Sequence, residues 1–524
     1  MQNIVHEKTN SKRWLALIAI SLGVFMALID TTVVNVALPS IQTSLNASYS
    51  DLQWVISSYT IVFSVLLLIW AKLGDLYGRK LMFMLGLVIF TIGSGLDAVS
   101  TTISMLHIFR AVQAVGGSAL MSLSFALIGT SFDGKERGIA LGILSSIIGL
   151  STASGPLLGG WLVDAFSWQS IFTINLPVGI ITIILAWFFI PNKQTHRASG
   201  RVDFLGMILS AGTIFSLVFG LVQKEMHANW SWGELQVAGY LGMAVVLFAL
   251  FIWRQWTTKN PMMDLSMFKS SSFTGAVIIA FFLGAGLYGF FAYLSTFMQN
   301  YVGYTAWQTG LRQATISGFS LILGPIAGML TNRLRHGYML AFSAFFIGIG
   351  LFTLSALTTE TATFADFWPA FIIIGIGGGS INPPMTTAAM SSVEPHQMGM
   401  ASGMISTFMQ VGVSFGVVFQ GLRLADGYQA GLSQYLPKVT GAPTAMITTL
   451  HRVLVDAGPF SGHAIVTSKR VLATPFAHDL QTAIRLSFNR GFISIMHLDA
   501  VLLIVGGIIA AILIKTGGND NSSK

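Results

Sequence analysis

The sequence predicts an all-α membrane protein with fourteen transmembrane helices, and three observations carry that prediction. Of the 524 residues, 53% are hydrophobic and only 9% charged, a balance that leaves too little polar surface for a water-soluble fold. Apolar runs of about 20 residues, the length a helix needs to cross roughly 30 Å of hydrocarbon, recur along nearly the whole chain. Lys and Arg also cluster in alternate connecting segments, as they do when cytoplasmic loops retain positive charge.

The runs fall near 14–36, 53–71, 81–99, 103–129, 138–162, 169–190, 204–222, 236–256, 273–298, 310–331, 338–357, 367–390, 400–422 and 492–514. With the N-terminus in the cytoplasm, eighteen basic residues, from Lys8, Lys12 and Arg13 through to Lys515 and Lys524, lie in cytoplasmic segments, against Lys224 alone in the short outer loops. Both termini are therefore expected inside, and the formal charge of +8 is a topology signal rather than a nucleic-acid footprint. The first run is too long for the apolar region of a cleavable signal peptide. With no cysteine, disulfides and thiolate metal sites are excluded.

The segment 423–491 breaks the pattern, being external yet carrying Lys438, Arg452, Lys469, Arg470, Arg485 and Arg490. Long loops translocate largely regardless of charge, so the topology stands. Met446, Leu450, Val453 and Leu454 recur at helical spacing, as do Phe476, Leu480, Ile484 and Phe488, with Gly458 and Pro459 between them. Two amphipathic helices capping the outer face are expected.

Within the spans, Asp30 stands out, because a lone carboxylate in hydrocarbon costs several kcal/mol unless it is protonated or paired. Arg110, in the fourth span and followed by Ala111, Val112 and Gln113, is its natural partner. Pairing keeps the acid ionised while desolvation favours its neutral form, so a small local change can switch it. Spans 9 to 14 are read as holding no mid-membrane acid, and Arg312 adds positive charge near the outer end of the tenth span. Asn35, Tyr288, Tyr293, Gln299, Asn300 and Asn382 are further candidates for a cavity lining, and aromatic faces attract lipophilic cations.

The loop Leu73-Gly74-Asp75-Leu76-Tyr77-Gly78-Arg79-Lys80 follows the second span, and a weaker copy, Gly328 to Arg335 with Asn332 in place of Asp75, follows the tenth. Asp75 suits a helix N-terminus, Gly78 a tight turn, and Arg79, Lys80 and Arg333 offer counter-charges for a latch between helical bundles. The repeat implies two related six-helix bundles, 1–192 and 261–524, joined by 193–260 with an extra pair of helices. In the fifth span, Gly155, Pro156, Gly159 and Gly160 permit close helix approach and a kink.

Gly412 to Gly416 fits G-x-S-x-G but lies inside a span, and the glycines at 375, 377, 378 and 379 lack the strand and acid of a dinucleotide site. No ATP-binding or metal motif is present, so no enzyme activity, cofactor or metal is expected.

The loop at 73–80 resembles the signature of the major facilitator superfamily, and Arg110 with Gln113 resembles that superfamily's intramembrane arginine motif, with Ala114 where a glycine is usual. Gly155 to Gly160 is similar to the motif that marks its antiporters. Leu28 to Pro39, Trp168 to Pro177 and Pro261 to Phe268 resemble the fourteen-helix drug:proton antiporters, the branch holding the quaternary-ammonium and lincosamide-type resistance pumps. The resemblance implies a major facilitator fold in a bacterial inner membrane and proton-driven efflux of small lipophilic compounds, with the lipid bilayer and protons as partners. No nucleic acid is expected, and the protein is expected to be a monomer. A single buried acid further implies monocationic or neutral substrates and poor transport of dications. The alternatives are an exporter of an endogenous metabolite or lipid, and a non-transporting sensor or scaffold.

Overall fold

A computed structural model describes residues 2–132, 134–191, 202–227, 230–360, 362–466 and 468–517. Lys193, Arg197, Arg201 and Lys524 lie outside the described residues. Helices dominate throughout, because a backbone in lipid must satisfy its own N–H and C=O groups.

The long helices are α1 (Gln2–Leu45), α2 (Tyr49–Tyr77), α3 (Arg79–Ala98), α4 (Ile103–Ser131), α5 (Gly134–Ala165), α6 (Ser170–Phe189), α7 (Phe204–Met226), α8 (Leu235–Thr257), α9 (Ser271–Tyr301), α10 (Ala306–Leu330), α11 (His336–Leu357), α12 (Phe364–Met390), α13 (Met398–Tyr435) and α14 (Ala477–Leu513). Among the described residues, thirteen of them are long and apolar enough to cross a membrane by themselves, and α5, richer in Gly and Ser, is the fourteenth. Ser48 caps α2 and Thr305 caps α10 through reciprocal boxes with Asp51 and Gln308, which fix both helix starts.

Helices α1 to α6 pack on one another, and α9 to α14 do the same. Two seams join these groups. Along the first, α5 and α10 run antiparallel, with Gly138 against the Gly328 carbonyl, Gly142 against Gly324 and Leu157 against Gly310. A Cβ at Gly138 or Gly142 would strike backbone of the facing helix, so glycine sets the approach distance. The second seam pairs α2 with α13. Helix α7 leans against both α2 and α13, whereas α8 packs chiefly on α7 and turns Val245, Val246, Phe248 and Trp253 outward. Asp203 ties the pair together, capping α7 at Gly206 and accepting from Arg254 Nε at 3.1 Å.

Three features depart from the sequence expectation. Segment 423–491 holds one separate amphipathic helix, Thr444–Val466, and its kink at Gly458, with φ of 73°, lies within it. The second expected helix is the N-terminal part of α14, which continues unbroken from Ala477, and α13 likewise extends to Tyr435. Gly427 and Gly431 seat these extensions against Gly491 and Ser487, so the two helices brace each other along them. Finally, α9 contains two π-helical turns, Gly284–Tyr288 and Phe297–Tyr301.

Candidate functional site

Asp30 is completely buried on α1, and Arg110 of α4 reaches it through an Nη1–Oδ2 ion pair. Gln113, one turn beyond Arg110, donates from Nε2 to Asp30 Oδ1 at 2.9 Å and accepts from the same guanidinium nitrogen. Both carboxylate oxygens are thus occupied, one by a charge and one by a neutral donor. The Tyr59 ring of α2 lies 4.3 Å from the guanidinium carbon, and the Phe172 ring of α6 lies 5.6 Å away. Tyr59 is held in place by its hydroxyl, which donates to the Ala27 carbonyl at 3.2 Å. An aromatic face of this kind stabilises a desolvated cation by about 2 kcal/mol.

A second acid shares the cluster. Asp97 of α3 is fully buried, neither of its oxygens has a hydrogen-bond partner, and it lies within electrostatic reach of Arg110 and Asp30. Arg110 keeps its Nε unbonded as well. One guanidinium therefore stands between two carboxyls, and it is hydrogen-bonded to only one of them. The sequence pointed to Asp30, Arg110 and Gln113 but not to Asp97, Tyr59 or Phe172. Asp97 falls at the edge of an apolar run, where an acid reads as a loop residue.

The glycines of the fifth span press on the same stretch of α1. Gly155 sits against Thr32 and Gly159 against the Val33 side chain, two and three residues past Asp30, and Gly160 is buried. Pro156 lies within helical backbone, and its side chain lies outside the described residues.

At the other end of α2, Asp75 is 3% exposed and makes three contacts. Its Oδ1 accepts from Arg79 Nη2 at 2.6 Å and Nε at 3.0 Å, and its Oδ2 accepts from the backbone N–H of Met400 at 2.9 Å. The carboxylate thus caps the N-terminus of α13, where the helix dipole favours negative charge. Gly78, at φ 116°, turns the chain between α2 and α3. Lys80 donates to the Trp187 carbonyl at the end of α6, at 2.7 Å. Ser402 adds a bond to the Ser122 carbonyl at 2.7 Å, so α13 is fastened to α2 and α4 on this side.

The second copy of the loop is arranged differently. Arg333 is exposed, whereas Arg335 donates to the Ile514 and Ala511 carbonyls at 3.0 Å each and so caps α14 within its own half. Asn332 Nδ2 has no partner.

The remaining candidates are dispersed. Asn382 donates to the Tyr288 hydroxyl at 3.3 Å, and Tyr288 packs against the apolar cores of both halves. Tyr293 instead donates to the Val417 carbonyl at 2.6 Å. Gln299 and Asn300 are half-buried in the second π-turn, and Asn35 is exposed. Arg312 stacks on Tyr304 at 3.9 Å and bonds the Gln308 carbonyl, which keeps it apart from Arg110.

One expectation is overturned. The later spans do hold a buried acid, Asp499, fully enclosed on α14. Because α14 begins at Ala477, Asp499 lies deep in a long helix rather than at its start. The single-acid argument for charge selection therefore loses its premise.

Residues 20–417 match the family described as Major Facilitator Superfamily. The chain belongs to that superfamily. This major facilitator is 32% identical over 451 residues to the multidrug resistance protein Stp of Mycobacterium tuberculosis, covering 86% of this chain and 83% of that one. It is 29% identical over 414 residues to the tetracenomycin C resistance and export protein of Streptomyces glaucescens, covering 79% and 76%. The human organic anion transporter MFSD10 (TETRAN) shares the fold, with a TM-score of 0.60 at 10% identity over 95% of this chain and 99% of that one. The protein is accordingly a multi-pass membrane transporter of the major facilitator superfamily.

Proposed function

We propose that this transporter is a proton-coupled antiporter that exports small lipophilic compounds by alternating access of its two halves. In this reading it works as a monomer in a bacterial inner membrane, with both termini in the cytoplasm, as the basic bias supports. The halves are 1–192 and 261–524, and 193–260 carries the extra pair. The resistance and export activities named for its relatives agree in direction.

The observation that carries the proposal is the enclosed cluster of Asp30, Arg110, Gln113 and Asp97. An arginine keeps its charge in any protein environment, so the cluster changes state only through its carboxyls. With Asp30 ionised, the ion pair is neutral and fits the low-dielectric interior. When a proton binds Asp30, Arg110 loses its counter-ion, and Asp97, unbonded and nearby, replaces it by giving up its own proton, so that one proton enters at Asp30 as another leaves Asp97. Proton arrival thus redirects one guanidinium between α1 and α3. Because Gly155 and Gly159 of α5 pack directly against Thr32 and Val33 of α1, a shift of α1 at Asp30 moves the seam between the halves. Asp75, Gly78, Arg79 and Lys80 act as the cytoplasmic latch, a role supported by the bond from the Met400 N–H to Asp75.

Export of ethidium, a lipophilic cation, into proteoliposomes under an imposed pH gradient tests the reading. Asp30→Asn, nearly isosteric, is expected to abolish pH-driven movement while leaving a monodisperse protein. Retained pH coupling in that variant would refute the assignment.

A further inference from the structure

We propose that Asp499 is a second proton-binding site, built into the C-terminal half and independent of Asp30. The carboxyl lies fourteen residues before the end of α14, about 21 Å along the helix, and none of it is exposed. Its Oδ1 accepts from Gln420 Nε2 of α13 at 2.9 Å, and its Oδ2 has no partner. No Lys, Arg or His pairs with it among the described residues. A buried anion held by one neutral amide is far costlier than its protonated form, and the protonated form also turns the orphan Oδ2 into a donor.

The other titratable groups around it do not supply the missing charge. From α9 comes Tyr293, bonded to Val417; from α7 comes Glu225, itself an acid, which stands with Asp499 in the electrostatic surroundings of Tyr293. On α14, His497 is turned away toward Ser355 of α11, at 3.0 Å. From α13 the group that meets it is the uncharged Gln420, while Arg423, one turn further on, is exposed.

The site is also mechanically connected. Gln420 Nε2 makes a second bond, at 2.7 Å, to the Ala285 carbonyl inside the π-turn Gly284–Tyr288 of α9. A π-turn is a strained register that recurs at functional positions, since it displaces one carbonyl from the ladder. Here one amide spans that turn and the acid. Gly284, Gly412 and Gly416 bring α9 and α13 into backbone contact beside it. Loss of the proton from Asp499 would draw both amide hydrogens of Gln420 toward the new anion and release the Ala285 carbonyl. Tyr288, at the end of the same turn, touches both cores, as Leu73 and Met409 also do. Two proton sites, rather than one, would make exchange for a monocation electrogenic.

Infrared spectroscopy of the reconstituted protein, without substrate, tests the site. At neutral pH the wild type is expected to show a protonated-carboxyl C=O band that is missing in Asp499→Asn, displaced in Asp499→Glu, and shifted on transfer to D2O. The same band is expected in Asp30→Asn, so failure of the Asp30 reading leaves this result readable by itself. Superimposable spectra of wild type and Asp499→Asn would overturn the proposal. Should Asp499→Asn not fold, an unmoved band in Asp499→Glu would overturn it equally. In proteoliposomes, protons exchanged per ethidium are expected to fall about twofold in Asp499→Asn, and an unchanged ratio would count against the site.

Discussion

The two halves each bury a carboxylate against a glutamine, yet they treat its charge in opposite ways. In the N-terminal half Asp30 meets Gln113 at 2.9 Å and also Arg110, so the ionised form is neutralised on the spot. In the C-terminal half Asp499 meets Gln420 at 2.9 Å and, among the described residues, pairs with no cation. The same amide–acid contact is therefore completed by a counter-charge in one place and left without one in the other. The lesson is that burial alone does not define such a site; the presence or absence of a counter-charge does.

The sharpest way to break this contrast is to remove Arg110. Arg110→Gln makes the first site resemble the second, leaving Asp30 without a cation. Breaking a buried pair typically costs about 3 to 5 kcal/mol, so a large drop in thermal stability and loss of pH-driven export are expected. Wild-type melting in detergent would contradict the account. Next in size is Gly142→Leu, which forces side chain into the α5–α10 seam where Gly324 now approaches. Overpacking costs about 1 to 3 kcal/mol, and transport is expected to fall well before melting does.

The latches offer a parallel contrast. Asp75→Asn removes the Arg79 ion pair and weakens the cap on α13, a loss of about 1 to 2 kcal/mol. Crosslinking between α2 and α13 near Asp75 and Met400 should drop accordingly. Tyr59→Phe should be milder, at about 1 kcal/mol, since only the Ala27 bond is lost and the ring over Arg110 stays. Arg333→Ala is expected to change stability by less than about 0.5 kcal/mol, because Arg333 is exposed while Arg335 performs the capping.

Much of this was legible in the sequence because hydrocarbon imposes length and polarity on every span. Asp30, Arg110 and Gln113 could be paired in advance, since an arginine in a span demands a partner. The loop at Asp75 was readable as a helix cap from its residue types. What escaped were features decided by helix faces and ends. Asp97 lies at the margin of an apolar run, and Asp499 was hidden by the length of α14, whose polar first third has no hydropathy signal. The π-turns of α9 also leave no mark, because Gly284 to Tyr288 is as apolar as any regular helix. The contact of Gly155 with Thr32 needed tertiary structure, although the glycines themselves announced close packing.

The most direct test of the central claim, that Asp30 exchanges a proton for cargo, is proton release from the purified protein in weak buffer on adding ethidium. The account predicts release by the wild type that is lost in Asp30→Asn while ethidium still binds. Equal release from both proteins would contradict it.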